Sequence, residues 1–84
     1  MIILDAACMA RREEAHAYLK AALSLPAHYG ENLDALYDCL TDLGETEIRF
    51  VNLEHAGQTY FARLLPVFRE AEEENPRLRL SYED

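Results

Sequence analysis

The spacing of apolar residues along the chain predicts alternating strands and helices. Residues 1–4 form a short apolar run, which is typical of a strand buried on both faces. Residues 11–23 carry apolar side chains at helical spacing, and Pro26 cannot continue that helix. We therefore expect a first strand, a first helix over 11–23 and a loop over 26–31.

The same spacing continues into a second helix and a second strand. Leucines recur every three or four residues over 33–43, with Asn32 in the position of an N-cap and Gly44 where helices commonly end. Residues 47–53 then alternate between apolar and polar side chains, which predicts a strand.

The last third of the chain predicts a third helix and a third strand. Residues 59–74 have helical spacing, but Pro66 lies inside this segment, so we expect a kink or two helical pieces. Residues 78–82 alternate as a strand. Helices between successive strands imply a mainly parallel sheet with right-handed crossovers. Because no linker or repeat interrupts the pattern, we expect a single α/β domain over residues 1–84.

Charge adds a strong asymmetry to this pattern. Of the 84 residues half are hydrophobic, enough for a packed core, and the formal net charge is −8. No Lys or Arg lies between Lys20 and Arg49, whereas six acids do: Glu31, Asp34, Asp38, Asp42, Glu45 and Glu47. Because nothing in that stretch could neutralise a phosphate, we expect no direct nucleic-acid binding. The excess of acidic residues instead favours a positively charged partner.

Short sequence motifs indicate the cellular compartment and whether a metal or cofactor is bound. The apolar start is too short for a signal peptide and no run approaches a membrane span, so we expect a cytoplasmic protein with no membrane contact. Cys8 and Cys39 have no metal-type spacing, which indicates reduced thiols. His16, His28 and His55 have no ligand spacing either, so we expect neither a metal nor a cofactor.

Acidic residues form one face of the second helix. At about 100° per residue, Asp34, Asp38 and Asp42 lie beside the leucine stripe, and Glu31 just before the helix continues their line. A solvated face is the ordinary interpretation of such charges. However, Asp38 and Asp42 each follow a like charge by four residues, and they approach the helix end where the dipole disfavours anions. This arrangement favours a surface that binds cations.

The neighbouring loop supports a binding surface, whereas catalysis is not expected. Tyr29 and Gly30 place a ring and a flexible backbone beside the acids, as at interface hot spots, although a half-buried core tyrosine is the alternative. An enzyme using Asp34 and Asp38 as paired carboxylates would lack a nucleophile and a metal motif. The run Glu72 to Glu74 is predicted to be a solvated helix end.

The acidic helix and its loop resemble the signature of the barstar family. Residues 25–41 read L-P-A-H-Y-G-E-N-L-D-A-L-Y-D-C-L-T, where that family has a Tyr-Gly loop followed by N-L-D-A-L-W-D-C-L-T. The run V-F-R-E-A at 67–71 resembles the family's last helix. Tyr37, His28 and Leu43 stand where the family has tryptophan, a second tyrosine and another tryptophan.

The resemblance implies both a fold and a role. The fold is a small three-stranded parallel sheet with helices packed on it. The role is that of an intracellular inhibitor, monomeric when free, which blocks the active site of a secreted, basic, barnase-type ribonuclease one-to-one. An immunity or antitoxin protein that neutralises another basic toxin, such as a different nuclease, is the alternative.

The resemblance also implies which residues bind. Asp38 would occupy the enzyme's phosphate-binding site, and Asp34 and Glu70 would meet a guanidinium nearby. Tyr37 lies toward the leucine stripe, so packing is the alternative to binding for this residue. The surrounding contacts would come from Tyr29, Gly30, Asn32, Ala35 and Thr41.

Overall fold

The computed structural model describes residues 1–54 and 56–83, which form three strands and three α-helices. The strands are β1 (Ile2–Asp5), β2 (Thr46–Val51) and β3 (Leu78–Tyr82). The helices are α1 (Arg12–Ala22), α2 (Leu33–Thr41) and α3 (Phe61–Glu74). Two short 3-10 helices, Ala6–Met9 and Ala56–Gln58, were not predicted. His55, one of the three histidines considered above, lies outside the described residues.

The strands form one parallel sheet in the order β1-β2-β3. Leu4 of β1 lies beside Phe50 of β2, and Ile48 lies beside Leu80 of β3. The helices α1 and α2 connect the first two strands, and α3 connects the last two. The predicted α/β class and three-stranded parallel sheet are therefore confirmed.

The helices pack against one face of the sheet. Phe50 is fully buried there, with its ring centroid 5.3 Å from that of Phe61 and 5.1 Å from that of Phe68. On the opposite face, Ile3 is 56% exposed and Arg49 is also exposed. The prediction that the first strand is buried on both faces was wrong, because the helices cover one face of the sheet and Ile3 lies on the other.

A single α-helix contains Pro66, so of the two outcomes expected for this segment, a kink or two helical pieces, the division into two pieces does not occur. The helix α3 runs without a break from Phe61 to Glu74. It begins two residues later than predicted, because the hydroxyl of Thr59 accepts a hydrogen bond from the Phe61 amide at 3.3 Å outside the helix. Because Pro66 has no amide hydrogen, α3 loses one hydrogen bond. Packing of α3 against the sheet stabilises the helix despite this loss.

Each edge strand of the sheet forms a hydrogen bond with a helix side chain. The Tyr18 hydroxyl accepts a hydrogen bond from the Asp5 amide of β1 at 2.9 Å. The Glu72 carboxylate accepts one from the Leu80 amide of β3, also at 2.9 Å. Glu72 is therefore only half-exposed, unlike Glu73 and Glu74, and the prediction of a wholly solvated run was wrong for this residue. In the described part of the chain, no helix has the length and apolar character needed to cross a membrane.

Candidate functional site

Asn32 joins the loop to the start of α2. Its side-chain oxygen accepts a hydrogen bond from the Ala35 amide at 2.8 Å, and its amide group donates one to the Gly30 carbonyl at 3.2 Å. The predicted N-cap is confirmed. A Cβ atom on Gly30 would lie 3.2 Å from the Asn32 Nδ2 and 3.3 Å from the Ala35 Cβ, so glycine permits this close approach.

The three aspartates of the second helix are exposed, as the helical spacing predicts. Asp34, Asp38 and Asp42 face solvent, whereas Leu36 and Leu40 are fully buried. Within the described residues, the ion pair formed is that of Arg11 with Glu14, and no aspartate of this row has a cationic nitrogen within 4.0 Å. These carboxylates are therefore available to an external cation.

Tyr37 lies where the acids of α2 meet those of α3. Partial burial raises the pKa of its hydroxyl, and the carboxylates of Glu74, Glu70 and Asp38 raise that pKa further. The structure thus extends the row on α2 across Tyr37 to a second helix. We call this feature the acidic surface, and it consists of Asp34, Asp38, Asp42, Glu70, Glu73 and Glu74.

Several other predicted contact residues have their polar groups engaged within the protein. The Thr41 hydroxyl donates to the Asp38 carbonyl at 2.9 Å, and Ala35 is half-buried beside the Asn32 cap. Tyr29 is only 6% exposed, which matches the core position weighed as its alternative. Its neighbour Gly30 remains exposed.

Tyr29 is anchored by a histidine that the sequence analysis did not place in the site. The Nδ1 atom of His16 lies 2.6 Å from the Tyr29 hydroxyl, and its Nε2 atom lies 2.8 Å from the Tyr60 hydroxyl. Burial raises the pKa of Tyr29. The available signal was helical spacing, because His16 stands three and seven residues before the apolar Leu19 and Leu23.

Basic residues from other elements reach one end of the acidic surface. A depression of about 480 Å³ beside Asp34 is lined by Asn32, Tyr60, Arg12 of α1 and Arg63 of α3. Although residues 21–48 contain no Lys or Arg, Arg12 and Arg63 from other parts of the chain therefore lie near Asp34.

The remaining acids of the base-free stretch lie elsewhere. Glu31 lines a hollow with Lys20 near the end of α1. Glu45 and Glu47 line another with Arg77 and Arg79, near the starts of β2 and β3. Glu45 and Glu47 are therefore not part of the acidic surface, and Glu31, which was expected to continue the line of aspartates, lies instead beside Lys20.

The site has no reactive thiol. Burial raises the pKa of the Cys39 thiol, and the carboxylates of Asp38 and Asp42 raise it further, so the thiolate is disfavoured. Cys8 and Cys39 are both free in the structure. Among the residues that the structure describes, no group of His, Cys, Asp and Glu side chains could hold a metal ion.

Comparison with known proteins agrees with this arrangement. The family described as "Barstar (barnase inhibitor)" matches residues 1–83. A protein of Bacillus subtilis (strain 168), named "Putative ribonuclease inhibitor YrdF", is 38% identical over 78 residues, which cover 87% of this chain and 86% of that protein. The resemblance seen in residues 25–41 is thereby confirmed. The chain belongs to the barstar family, and it is an inhibitor protein rather than an enzyme.

Proposed function

We propose that this protein inhibits a guanyl-specific, barnase-type ribonuclease by covering the enzyme's cationic active site with the acidic surface. Membership of the barstar family supports ribonuclease inhibition in general. The observation that supports the finer proposal is the row of exposed, unpaired carboxylates on α2, continued on α3 across Tyr37. We propose a one-to-one complex, formed in the cytoplasm by an inhibitor that is monomeric when free.

The proposed mechanism is imitation of the substrate's charge. Asp38, in the middle of the row, takes the position of a substrate phosphate among the basic side chains of the enzyme. Asp34 and Glu70 pair with a guanidinium beside it, because charge-assisted hydrogen bonds between Arg and carboxylates are short and strong. Nothing in this mechanism requires chemistry from the inhibitor.

The surrounding residues shape the proposed contact. Gly30 offers exposed backbone, and Asn32 and Ala35 lie at the start of α2. Thr41 lies one turn beyond Asp38, and half-buried Tyr37 lies where the two acidic helices meet. Because Tyr29 is buried, we propose that it acts mainly by setting the position of the loop.

Replacing Asp38 by alanine tests this mechanism. We expect Asp38→Ala to weaken binding to a purified guanyl-specific ribonuclease by more than about 2 kcal/mol, the range of an interface hot spot. The dissociation constant, measured by titrating residual ribonuclease activity, provides the readout. Glu45→Ala is the matched control, because it removes one exposed acid outside the acidic surface and should leave affinity nearly unchanged.

The same titration separates the proposal from its alternative. If Asp38→Ala inhibited as well as the parent protein, the covering of the active site by α2 would be wrong. If the parent protein inhibited a different basic nuclease and left the guanyl-specific enzyme active, the partner would be another toxin. A panel containing both classes of nuclease therefore decides the matter in one assay.

A further inference from the structure

His16 is a buried titratable residue that links three segments of the protein. Its side chain on α1 is 1% exposed. One ring nitrogen contacts the hydroxyl of Tyr29 at 2.6 Å, and the other contacts the hydroxyl of Tyr60 at 2.8 Å. Tyr29 belongs to the loop over 26–31, and Tyr60 is the N-cap residue of α3. A single imidazole therefore ties the loop that precedes α2 to both α1 and the start of α3.

The hydrogen-bonding capacity of the ring favours its neutral form. A neutral imidazole has one donor and one acceptor nitrogen, so one tyrosine hydroxyl can donate to it while the other accepts. An imidazolium donates from both nitrogens, and both hydroxyl hydrogens must then find other acceptors. Among the described residues, the buried Tyr29 hydroxyl has no further hydrogen-bond partner. Protonation of His16 would thus leave a buried hydroxyl hydrogen unsatisfied, which is costly.

The charges around the ring act in the same direction overall. Burial lowers the pKa of His16, and the neighbouring Arg12 lowers it further, whereas Glu31 of the loop opposes this. Arg63 of α3 lines the same depression as Arg12, and Lys20 lies one helical turn beyond His16 on α1. The folded environment therefore disfavours a positive charge at this position.

We propose that His16 is a positioning residue for partner binding. In its neutral form it holds the loop over 26–31 and the start of α2 in the geometry that the partner recognises, and its protonation releases the loop. This inference rests on the proposed function, because the loop is taken to border the surface that the ribonuclease contacts. Its consequence is a complex that weakens in acid through the inhibitor itself.

The direction of the pH dependence follows from the two states of the loop. When the loop is held, the pKa of His16 lies below 6.5, and when the loop is released, the solvated ring returns toward 6.5. The held state is therefore fully favoured above pH 6.5 and loses its advantage as the pH falls further. A single proton limits the change to about tenfold per pH unit. Apparent affinity falls in proportion to the fraction of molecules whose loop is held.

The first experiment compares the parent protein with His16→Gln in binding a guanyl-specific ribonuclease. Glutamine keeps a donor and an acceptor but cannot reach both tyrosines or titrate. The ratio of the two dissociation constants cancels the titration of the enzyme's own groups. We expect His16→Gln to bind several-fold more weakly near pH 8, with the difference shrinking toward pH 5, across the range in which histidine titrates. A ratio that does not change with pH would overturn the proposal.

The second experiment needs no partner and reads the loop directly. Hydrogen exchange of the amides over 29–36, relative to those of β2, is compared between variants at each pH. On acidification, we expect this relative protection to fall in the parent protein and not in His16→Gln. His28→Gln is the matched control, because it removes an exposed imidazole from the same loop and should leave the pH dependence in place.

The outcomes of the two experiments distinguish this inference from the proposed function. If the parent protein fails to inhibit the ribonuclease, the proposed function is wrong, whatever the loop does. If loop protection in the parent protein does not depend on pH, or if His28→Gln removes that dependence, the role of His16 is wrong. Should His16→Gln fail to fold, Tyr29→Phe removes only the loop's hydroxyl and must also loosen the loop amides relative to β2.

Discussion

Asn75 shows how one polar side chain fixes the end of the helix that carries the acidic surface. It is 4% exposed, and its Nδ2 group donates to the carbonyl of Leu40 at 3.0 Å and to that of Leu43 at 2.9 Å. Its side-chain oxygen accepts from the Arg77 amide at 3.0 Å. Carbonyls at the end of a helix lack intrahelical partners. The Leu43 amide reaches the Leu40 carbonyl at 3.3 Å, and Asn75 adds a shorter bond to that carbonyl and one to the Leu43 carbonyl.

We expect Asn75→Asp to lower the free energy of unfolding by about 2–4 kcal/mol. The substitution keeps the shape of the side chain but replaces its donors by a carboxylate directed at two carbonyl oxygens, and each buried group left unsatisfied costs about 1–3 kcal/mol. Urea denaturation measures the change. Gln58→Glu makes the same chemical change at an exposed position and should cost little, so equal losses in the two variants would contradict this role for Asn75.

At the scale of single residues, exposure along a helix could be predicted and partners across the fold could not. The 100° rotation per residue places Asp34 and Asp38 in solvent without further information. The contacts of His16 depend on residues 13 and 44 positions away, and their proximity arises only when the loop and α3 fold against α1. Helical spacing could have indicated that His16 is buried, but it could not have indicated its hydrogen-bond partners.

At the scale of elements, α2 carries charges that oppose its own stability. Asp42 follows Asp38 by four residues and caps the C-terminal end of the helix, where the dipole favours cations. We expect Asp42→Lys to raise the free energy of unfolding by about 0.5–1 kcal/mol, because it relieves a repulsion and complements the dipole. The same substitution should slow association with the ribonuclease.

Urea denaturation and stopped-flow association measure these two effects on the same protein. The matched control is Glu54→Lys, which reverses one charge on an exposed residue outside the helices, the strands and the acidic surface. If Asp42→Lys neither stabilised the protein nor slowed association, the charges of α2 would be ordinary solvated groups.

The elements themselves were predictable to different degrees. The start and buried face of α2 were predicted well, because a capping residue and a leucine stripe are local signals. Its end at Gly44 was predicted wrongly, because the helix ends at Thr41 with Asp42 as its C-cap. The strand β1 was misjudged on one face, because an apolar run does not reveal which layer covers it, and Ile3 faces solvent. The sequence left open whether Pro66 divides α3, and the helix stays in one piece where Phe61 and Phe68 pack against Phe50.

At the scale of the whole molecule, net charge governs the approach of a partner. With a formal charge of −8, the protein should attract a basic ribonuclease at long range. Dissolved salt screens such an attraction and should therefore weaken it. We expect the association rate constant to fall steeply between about 0.01 M and about 0.5 M salt, while the dissociation rate constant changes little. Stopped-flow mixing measures both quantities. A salt dependence confined to dissociation would contradict long-range attraction.

The distribution of charge over the molecule could be predicted only in part. The linear sequence correctly indicates an acidic α2, but it does not show that Arg12 and Arg63 converge beside Asp34. Nor does it show that Glu70, Glu73 and Glu74 approach Tyr37. Both arrangements depend on how α1 and α3 pack, which is information that residues within α2 do not carry.

The hydrogen bonds from Asn75 to the end of α2 also determine when this helix end can be completed during protein synthesis. Leu40 leaves the ribosome 35 residues before the side chain that satisfies its carbonyl. Until α3 has followed, half of the acidic surface does not yet exist, and the end of α2 stays unsecured. A nascent chain interrupted before Asn75 thus carries the aspartates but not the arrangement that presents them. We therefore expect inhibition to require a chain that extends at least to Asn75, rather than to grow in proportion to chain length.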